Sequence, residues 1–131
     1  EELCAVKSHG RVHQMVSSVV ARVPATSAVR DAVRATFPMA SMTGAPKRRA
    51  MELIAGSESM PRGLFSGALG YELPDGTVDL NVVIRTITWD RSTGRASLIT
   101  GSAITGQSDP DREWDECELK AHSVLNTLAD A

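Results

Sequence analysis

Alternation of apolar and polar residues is clearest from Val78 to Thr88, where Val78, Leu80, Val82 and Ile84 alternate with Asp79, Asn81, Val83 and Arg85. A period of two predicts a half-buried strand over the whole stretch, with Arg85 inside it. Val12 to Val23 alternates more weakly, placing His13, Met15, Ser17 and Val19 on one face, and an apolar strand-like segment lies just ahead of it. Leu64 to Leu73 is glycine-rich and strand-like. It ends in Pro74-Asp75-Gly76, a turn by residue chemistry. Ser92-Thr93-Gly94 turns the chain into Ala96 to Ile99, as in a hairpin.

Helical spacing takes over elsewhere. Ser27 is placed to cap a short helix through Ala35, stopped by Pro38. A second helix is expected from Pro46, taken as its first residue, to about Ser57. Ser108-Asp109-Pro110 starts a long third helix, whose stripe of Trp114, Cys117, Ala121, Val124, Leu125 and Leu128 is expected to face the core. Strands with hairpin links among three helices predict an α+β fold with an antiparallel sheet.

Composition narrows the class. A chain of 131 residues, 42% hydrophobic with net charge −2, is one globular domain's worth. That charge balance lacks the basic excess nucleic-acid binding needs. No apolar run approaches the roughly 18 residues of a membrane span, and no basic-then-apolar leader opens the chain, so neither membrane insertion nor export is expected. Cys4 and Cys117 stand in no metal or redox spacing and read as free thiols of a reducing compartment, which implies the cytoplasm. The chain opens on Glu1 close to a strand, so it is expected to begin inside a larger architecture.

Several segments could carry chemistry. In Ser41 to Ile54, Gly44 and Pro46 shape a turn while Lys47, Arg48 and Arg49 crowd a helix N-terminus, itself an anion-attracting end. Glu113, Glu116 and Lys120 fall at i, i+3 and i+7 and share one helical face. Two carboxylates one turn apart can hold a hard cation such as Mg²⁺, and they can equally form a solvated face with a Glu–Lys pair. A strand-borne Arg85 calls for an anion, whether a ligand's carboxylate or a structural partner. Gly101-Ser102-Ala103 is small enough for backbone N–H groups to approach a ligand, and a tight turn explains it too. His13 is readable as a hydrogen-bonded core or surface residue, the tryptophans as packing residues, and the cluster Met39, Met42, Met51 and Met60 as gap-fillers.

Five motifs, in order, resemble the C-terminal half of the chorismate-utilising enzymes: VHQMVS (Val12 to Ser17), FPMASMTGAPKRRAMELI (Phe37 to Ile54), RGLFSGALGY (Arg62 to Tyr71), VVIRT (Val82 to Thr86) and SDPDREWDECELKA (Ser108 to Ala121). The family includes aminodeoxychorismate, anthranilate, isochorismate and salicylate synthases. The resemblance implies Mg²⁺-dependent chemistry on chorismate, a small dicarboxylate. Glu113 and Glu116 match metal-ligand positions. Arg85 matches the arginine that grips the pyruvyl carboxylate, Gly101 to Ala103 the backbone loop at the same group, and Lys120 a substrate-contacting lysine. His13 and Ser41 match positions near the departing C4 hydroxyl. Phe65 stands where many relatives place a carboxylate-binding tyrosine, and Ala103 replaces the second glycine of a commoner Gly-Ala-Gly.

Those departures, with the order Ser41-Met42-Thr43, resemble the aminodeoxychorismate branch, which implies amination of chorismate with ammonia from a glutamine amidotransferase subunit. The alternatives are anthranilate synthase, then isochorismate or salicylate synthase. The implied fold is an antiparallel β-sandwich with helices packed outside, incomplete in this chain. The lysine nucleophile, a further metal-ligand glutamate and the N-terminal half of the sheet all precede the matched region in the family. The chain is therefore expected to be a C-terminal portion of the chorismate-binding domain, inactive alone and prone to self-associate through unpaired edges. A stand-alone chorismate or Mg²⁺ binding module, or a subunit pairing with a separately encoded half, are the non-enzymatic readings.

Overall fold

The computed structural model describes residues 2–10, 12–24, 26 and 28–129. The chain divides into two compact units, Glu1–Thr36 and Phe37–Ala131. The first is built on a hairpin of β1 (Ala5–His9) and β2 (Val12–Val16), antiparallel in the register Ala5 opposite Val16 and His9 opposite Val12. Gly10 turns it with φ 59°, a conformation open to glycine without a Cβ clash. The expected strand to Val23 is shorter than its pattern. Beyond Val16, Ser17 and Ser18 are tied back among the described residues, Ser17 Oγ accepting from Cys4 N–H (3.0 Å) and Ser18 N–H donating to Glu2 O (2.8 Å). A period-two pattern makes a strand only where a neighbour supplies the ladder.

Helix α1 (Val29–Thr36) falls where the periodicity places it. Its proposed cap, Ser27, lies outside the described residues. Asp31, in the first turn, accepts from Ala28 N–H at 3.2 Å, and Arg34 sits in the last turn, so both charges complement the macrodipole. Phe37 precedes Pro38, which disfavours helical backbone at that residue, and α1 stops at Thr36.

In the second unit, α2 (Ala40–Thr43) and α3 (Lys47–Ser57) flank Gly44, whose φ is 105°. Pro46 is the N-cap of α3 in an extended conformation, φ −67° and ψ 132°, one residue outside the position expected for it. Two hairpins follow, β3 (Ala68–Glu72) with β4 (Val78–Val82) and β5 (Ile87–Asp90) with β6 (Arg95–Leu98). The turn at Pro74-Asp75-Gly76 and the hairpin after Gly94 stand as expected. The described residues thus form three two-stranded antiparallel sheets and four helices, an α+β arrangement of short sheets.

The strand expected from Val78 to Thr88 is broken in two, and Arg85 is not within a strand. Val82, Val83 and Ile84 are contiguous apolar residues, so alternation already lapses there. Val83 extends the pairing past β4, its N–H donating to Gly67 O (2.9 Å) and its O accepting from Ser66 N–H (3.0 Å). Ile84 N–H then bonds Val82 O (3.0 Å), a three-residue turn, and Arg85 takes φ 50°. Among the described residues only Val83 and Ser66 are buried.

Helix α4 (Pro110–Ala129) corrects the expected apolar stripe. Its half-covered positions are Glu113, Cys117, Lys120, Ala121 and Val124, while Trp114 is 65% exposed and Leu125 and Leu128 are exposed as well. Cys117, Ala121 and Val124 of the stripe are thus on the covered side, which they share with Glu113 and Lys120. Met60 is 75% exposed and Met51 41%, so these two do not fill gaps.

Candidate functional site

Asp109 starts the site by fixing the first turn of α4. Its Oδ1 accepts from Asp111 N–H and Arg112 N–H, each at 3.1 Å, and its carbonyl accepts from Glu113 N–H at 3.0 Å. Pro110 fits the first helical position because its absent N–H would have had no partner. The 3.6-residue repeat then carries Glu113, Glu116 and Lys120 along one face.

That face meets the loop after β6. Ser102 Oγ bonds Glu113 Oε2 and reaches Glu116 Oε2 at 3.0 Å. Lys120 Nζ lies 2.6 Å from Glu116 Oε1 and donates to Gly101 O at 2.9 Å. The bond from Lys120, and then the one from Ser102, hold the Glu116 carboxyl below its ordinary range. Two carboxylates against one ammonium leave one negative charge uncompensated. A hydroxyl carries a single proton, so Ser102 can donate to only one carboxylate at a time. A second donor or a cation completes such a pair, which is a donor set suited to a hard divalent ion sharing its shell with water and an anionic ligand. Among the described residues no cluster of three or more His, Cys, Asp or Glu forms.

Phe65 joins the same loop. A Cβ on Gly101 would lie 3.7 Å from Phe65 Cζ, so the half-buried ring rests over that glycine. Ala103 is tied down through its carbonyl, which accepts from Ser108 Oγ at 3.4 Å. The structure therefore brings together Gly101, Ser102, Glu113, Glu116 and Lys120, with Phe65 alongside. Ser41 is exposed on α2 and Arg85 exposed at the bend after Val83, which corrects the expectation of a buried arginine. His13 belongs to the first unit, on the exposed β1–β2 hairpin, where Nδ1 shares a hydrogen with Ser8 Oγ at 2.8 Å. Of the basic triplet, Arg48 and Arg49 both pair with Glu52, at 3.3 and 3.2 Å, on the solvated side of α3.

One residue escaped the sequence reading. Arg62 forms a fork with Glu58, Nε to Oε2 at 2.8 Å and Nη2 to Oε1 at 2.5 Å, and Nη1 donates to Met42 O (2.9 Å) and Ser66 Oγ (3.0 Å). The fork holds the Glu58 carboxyl below its ordinary range and pushes the Arg62 guanidinium up. Glu58 and Arg62 stand four apart outside any helix, where spacing alone says nothing of contact.

Comparison with known proteins places these motifs. A family model described as chorismate binding enzyme matches residues 1–126. The chain is 46% identical over 123 residues to an aminodeoxychorismate synthase of Streptomyces griseus, covering 94% of this chain and 17% of the relative. It is 47% identical over 130 residues to the aminodeoxychorismate synthase of Streptomyces pristinaespiralis, covering 98% of this chain and 18% of the relative. An anthranilate synthase component 1 of Haloferax volcanii is 40% identical over 131 residues, 98% of this chain and 25% of the relative. The chain spans a quarter or less of the length of these curated relatives.

Proposed function

This chain belongs to the chorismate-binding enzymes, and we propose that it forms part of an enzyme that aminates chorismate to 4-amino-4-deoxychorismate. The convergence of Glu113 and Glu116 on Ser102, with Lys120 compensating one charge of two, carries the reading. It is the arrangement a dicarboxylate substrate with a divalent cation would complete. Higher identity to aminodeoxychorismate synthases than to the anthranilate synthase favours the amination at C4.

In this reading Glu113 and Glu116 would hold Mg²⁺. The ion, when bound, would neutralise the ring carboxylate and polarise it. Lys120, by its reach to Gly101 O, keeps the helix face against the loop and its charge beside the substrate's anionic groups. Arg85, exposed and projecting from a bend, is available to a second carboxylate, for which a guanidinium fork is suited. By the family resemblance, His13 and Ser41 are the candidates for assisting departure of the ring hydroxyl. Phe65 supplies an apolar wall where a tyrosine would donate a hydrogen bond. The remainder of a β-sandwich, the nucleophile and a further metal ligand would come from residues outside this chain. Ammonia would come from a glutamine amidotransferase partner, in the cytoplasm. The exposed apolar side chains of α4, Trp114, Leu125 and Leu128, fit a helix that awaits such a covering.

The test uses the intact protein with Mg²⁺, ammonia and chorismate. The expected product is 4-amino-4-deoxychorismate, and Glu116→Gln is expected to lower kcat/KM by about 100-fold or more, in the range of lost electrostatic stabilisation. Mg²⁺ affinity by calorimetry should fall with it. Absence of chorismate consumption by the wild type overturns the reading, and anthranilate as product shifts it to the other branch. Turnover by the isolated 131-residue chain would overturn the need for further residues.

A further inference from the structure

We propose that Arg62 is a positioning residue, holding together the three segments that carry Ser41, Phe65 and Arg85. A guanidinium offers five N–H donors in one rigid plane. Four of them are engaged here. The edge formed by Nε and Nη2 is fixed by both oxygens of Glu58, at 2.8 and 2.5 Å. That leaves Nη1 aimed at two acceptors, Met42 O at 2.9 Å and Ser66 Oγ at 3.0 Å. Met42 directly follows Ser41, and Ser66 directly follows Phe65. Ser66 is buried and takes φ 70°, and its N–H donates to Val83 O (3.0 Å) while Val83 N–H returns to Gly67 O (2.9 Å). Two residues beyond Val83 is Arg85, at φ 50°. One planar side chain thus connects α2, the loop before β3 and, through Ser66 and Val83, the bend after β4.

The chemistry of the contacts sets this role apart from a plain stability pair. An ion pair serving stability alone is replaceable by apolar residues of similar volume. Arg62 instead reaches a backbone carbonyl and a hydroxyl in segments remote from Glu58, and their separation is set by the guanidinium plane. Lysine, a point charge on a flexible stem, cannot serve the Glu58 fork and both acceptors in that geometry.

Hydrogen exchange and kinetics of the intact protein test the proposal, the kinetic arm alone resting on the chorismate reading. In Arg62→Met, amide exchange should rise together at 42–44, 65–67 and 83–86, while the β5–β6 hairpin keeps its protection. The value of kcat/KM for chorismate should fall by about 100-fold, the scale of an ångström-sized misplacement of binding groups. Arg62→Lys should recover only part of it. Exchange confined to 58–62, or a kcat/KM within about threefold of wild type in a folded variant, overturns the proposal. Should Arg62→Met fail to fold, Glu58→Gln leaves the guanidinium in place but frees its plane, and the same three segments must loosen. A wild type that ignores chorismate refutes the function and leaves the exchange arm to decide the role of Arg62.

Discussion

Gly70 sits in the middle of β3, opposite Leu80 of β4, and Gly70→Ala is expected to be among the most damaging single-carbon changes in this chain. A Cβ at that position would lie 1.8 Å from Asp79 O and 2.8 Å from both Asp79 C and Leu80 Cα. Non-bonded carbon contacts are at their optimum near about 3.5 Å, so the nearest contact is short by more than about 1 Å. All three obstacles are backbone atoms, which no rotamer change can clear, so the strands themselves must separate. Ladder bonds tolerate only a few tenths of an ångström, and separation on that scale forfeits them. The substitution is therefore expected at the upper end of overpacking, about 3 kcal/mol. Urea unfolding of the intact protein measures it. With a slope of about 1–3 kcal/mol per molar, the midpoint should drop by roughly 1–3 M. Gly56→Ala is the opposing control, since Gly56 lies inside α3 with nothing within 4 Å of a Cβ, and relief of the glycine penalty should stabilise by about 0.5–1 kcal/mol. A Gly70→Ala midpoint equal to wild type, or equal to that of Gly56→Ala, refutes the steric reasoning. Because the same pairing continues into the Ser66–Val83 bonds, the damage should also loosen the segments bearing Phe65 and Arg85.

Asp109→Ala removes the acceptor of two first-turn N–H groups of α4 and should destabilise by about 1 kcal/mol in a thermal melt, fraying the turn that places Glu113. Asp90 accepts from Ser92 N–H and Oγ on one oxygen and from Thr93 Oγ on the other, and the Ser92 hydroxyl chiefly lowers its pKa from 3.8 to about 2. A folded-state value below the unfolded one means this carboxylate stabilises the β5–β6 turn above pH 3.8 and loses that contribution as pH falls towards 2. A carboxyl NMR titration of Asp90 should have its midpoint near the lower value, and Asp90→Asn should flatten the stability profile across that window.

How much of this is legible in the sequence depends on how local each cause is. The Pro74-Asp75-Gly76 and Gly94 turns, α1, α3 and α4 follow from residue chemistry over a few positions, and all stand in the structure. Where the cause is non-local, the pattern overreaches. Alternation from Val12 to Val23 is no guide past Val16, because the ladder ends there and, among the described residues, Ser17 and Ser18 alone are tied back to the facing chain. The break at Val83 is set by pairing with Ser66 and Gly67, and its one sequence trace is the contiguous Val82-Val83-Ile84. The stripe on α4 misleads for a related reason. Hydrophobic periodicity identifies which residues would gain from burial, but in this chain only Cys117, Ala121 and Val124 of the stripe are partly covered, on the face that also brings Glu113 and Lys120 to Ser102 and Gly101.

The candidate site divides along the same line. Glu113, Glu116 and Lys120 are legible because helical spacing alone puts them on one face, and the loop at 101–103 is legible by its small residues. Motif order points to Phe65, Ser41 and Arg85, but not to what sets their separations. Arg62 does so through acceptors four and twenty positions away, a combination with no period to detect. An arginine beside a proline-glycine segment reads as a solvated loop charge until the fold supplies Met42 O and Ser66 Oγ within reach of one nitrogen. Residues that touch a ligand advertise their chemistry in their type. Residues that hold others in place are defined by tertiary distances, and the structure, not the pattern, is where they become visible.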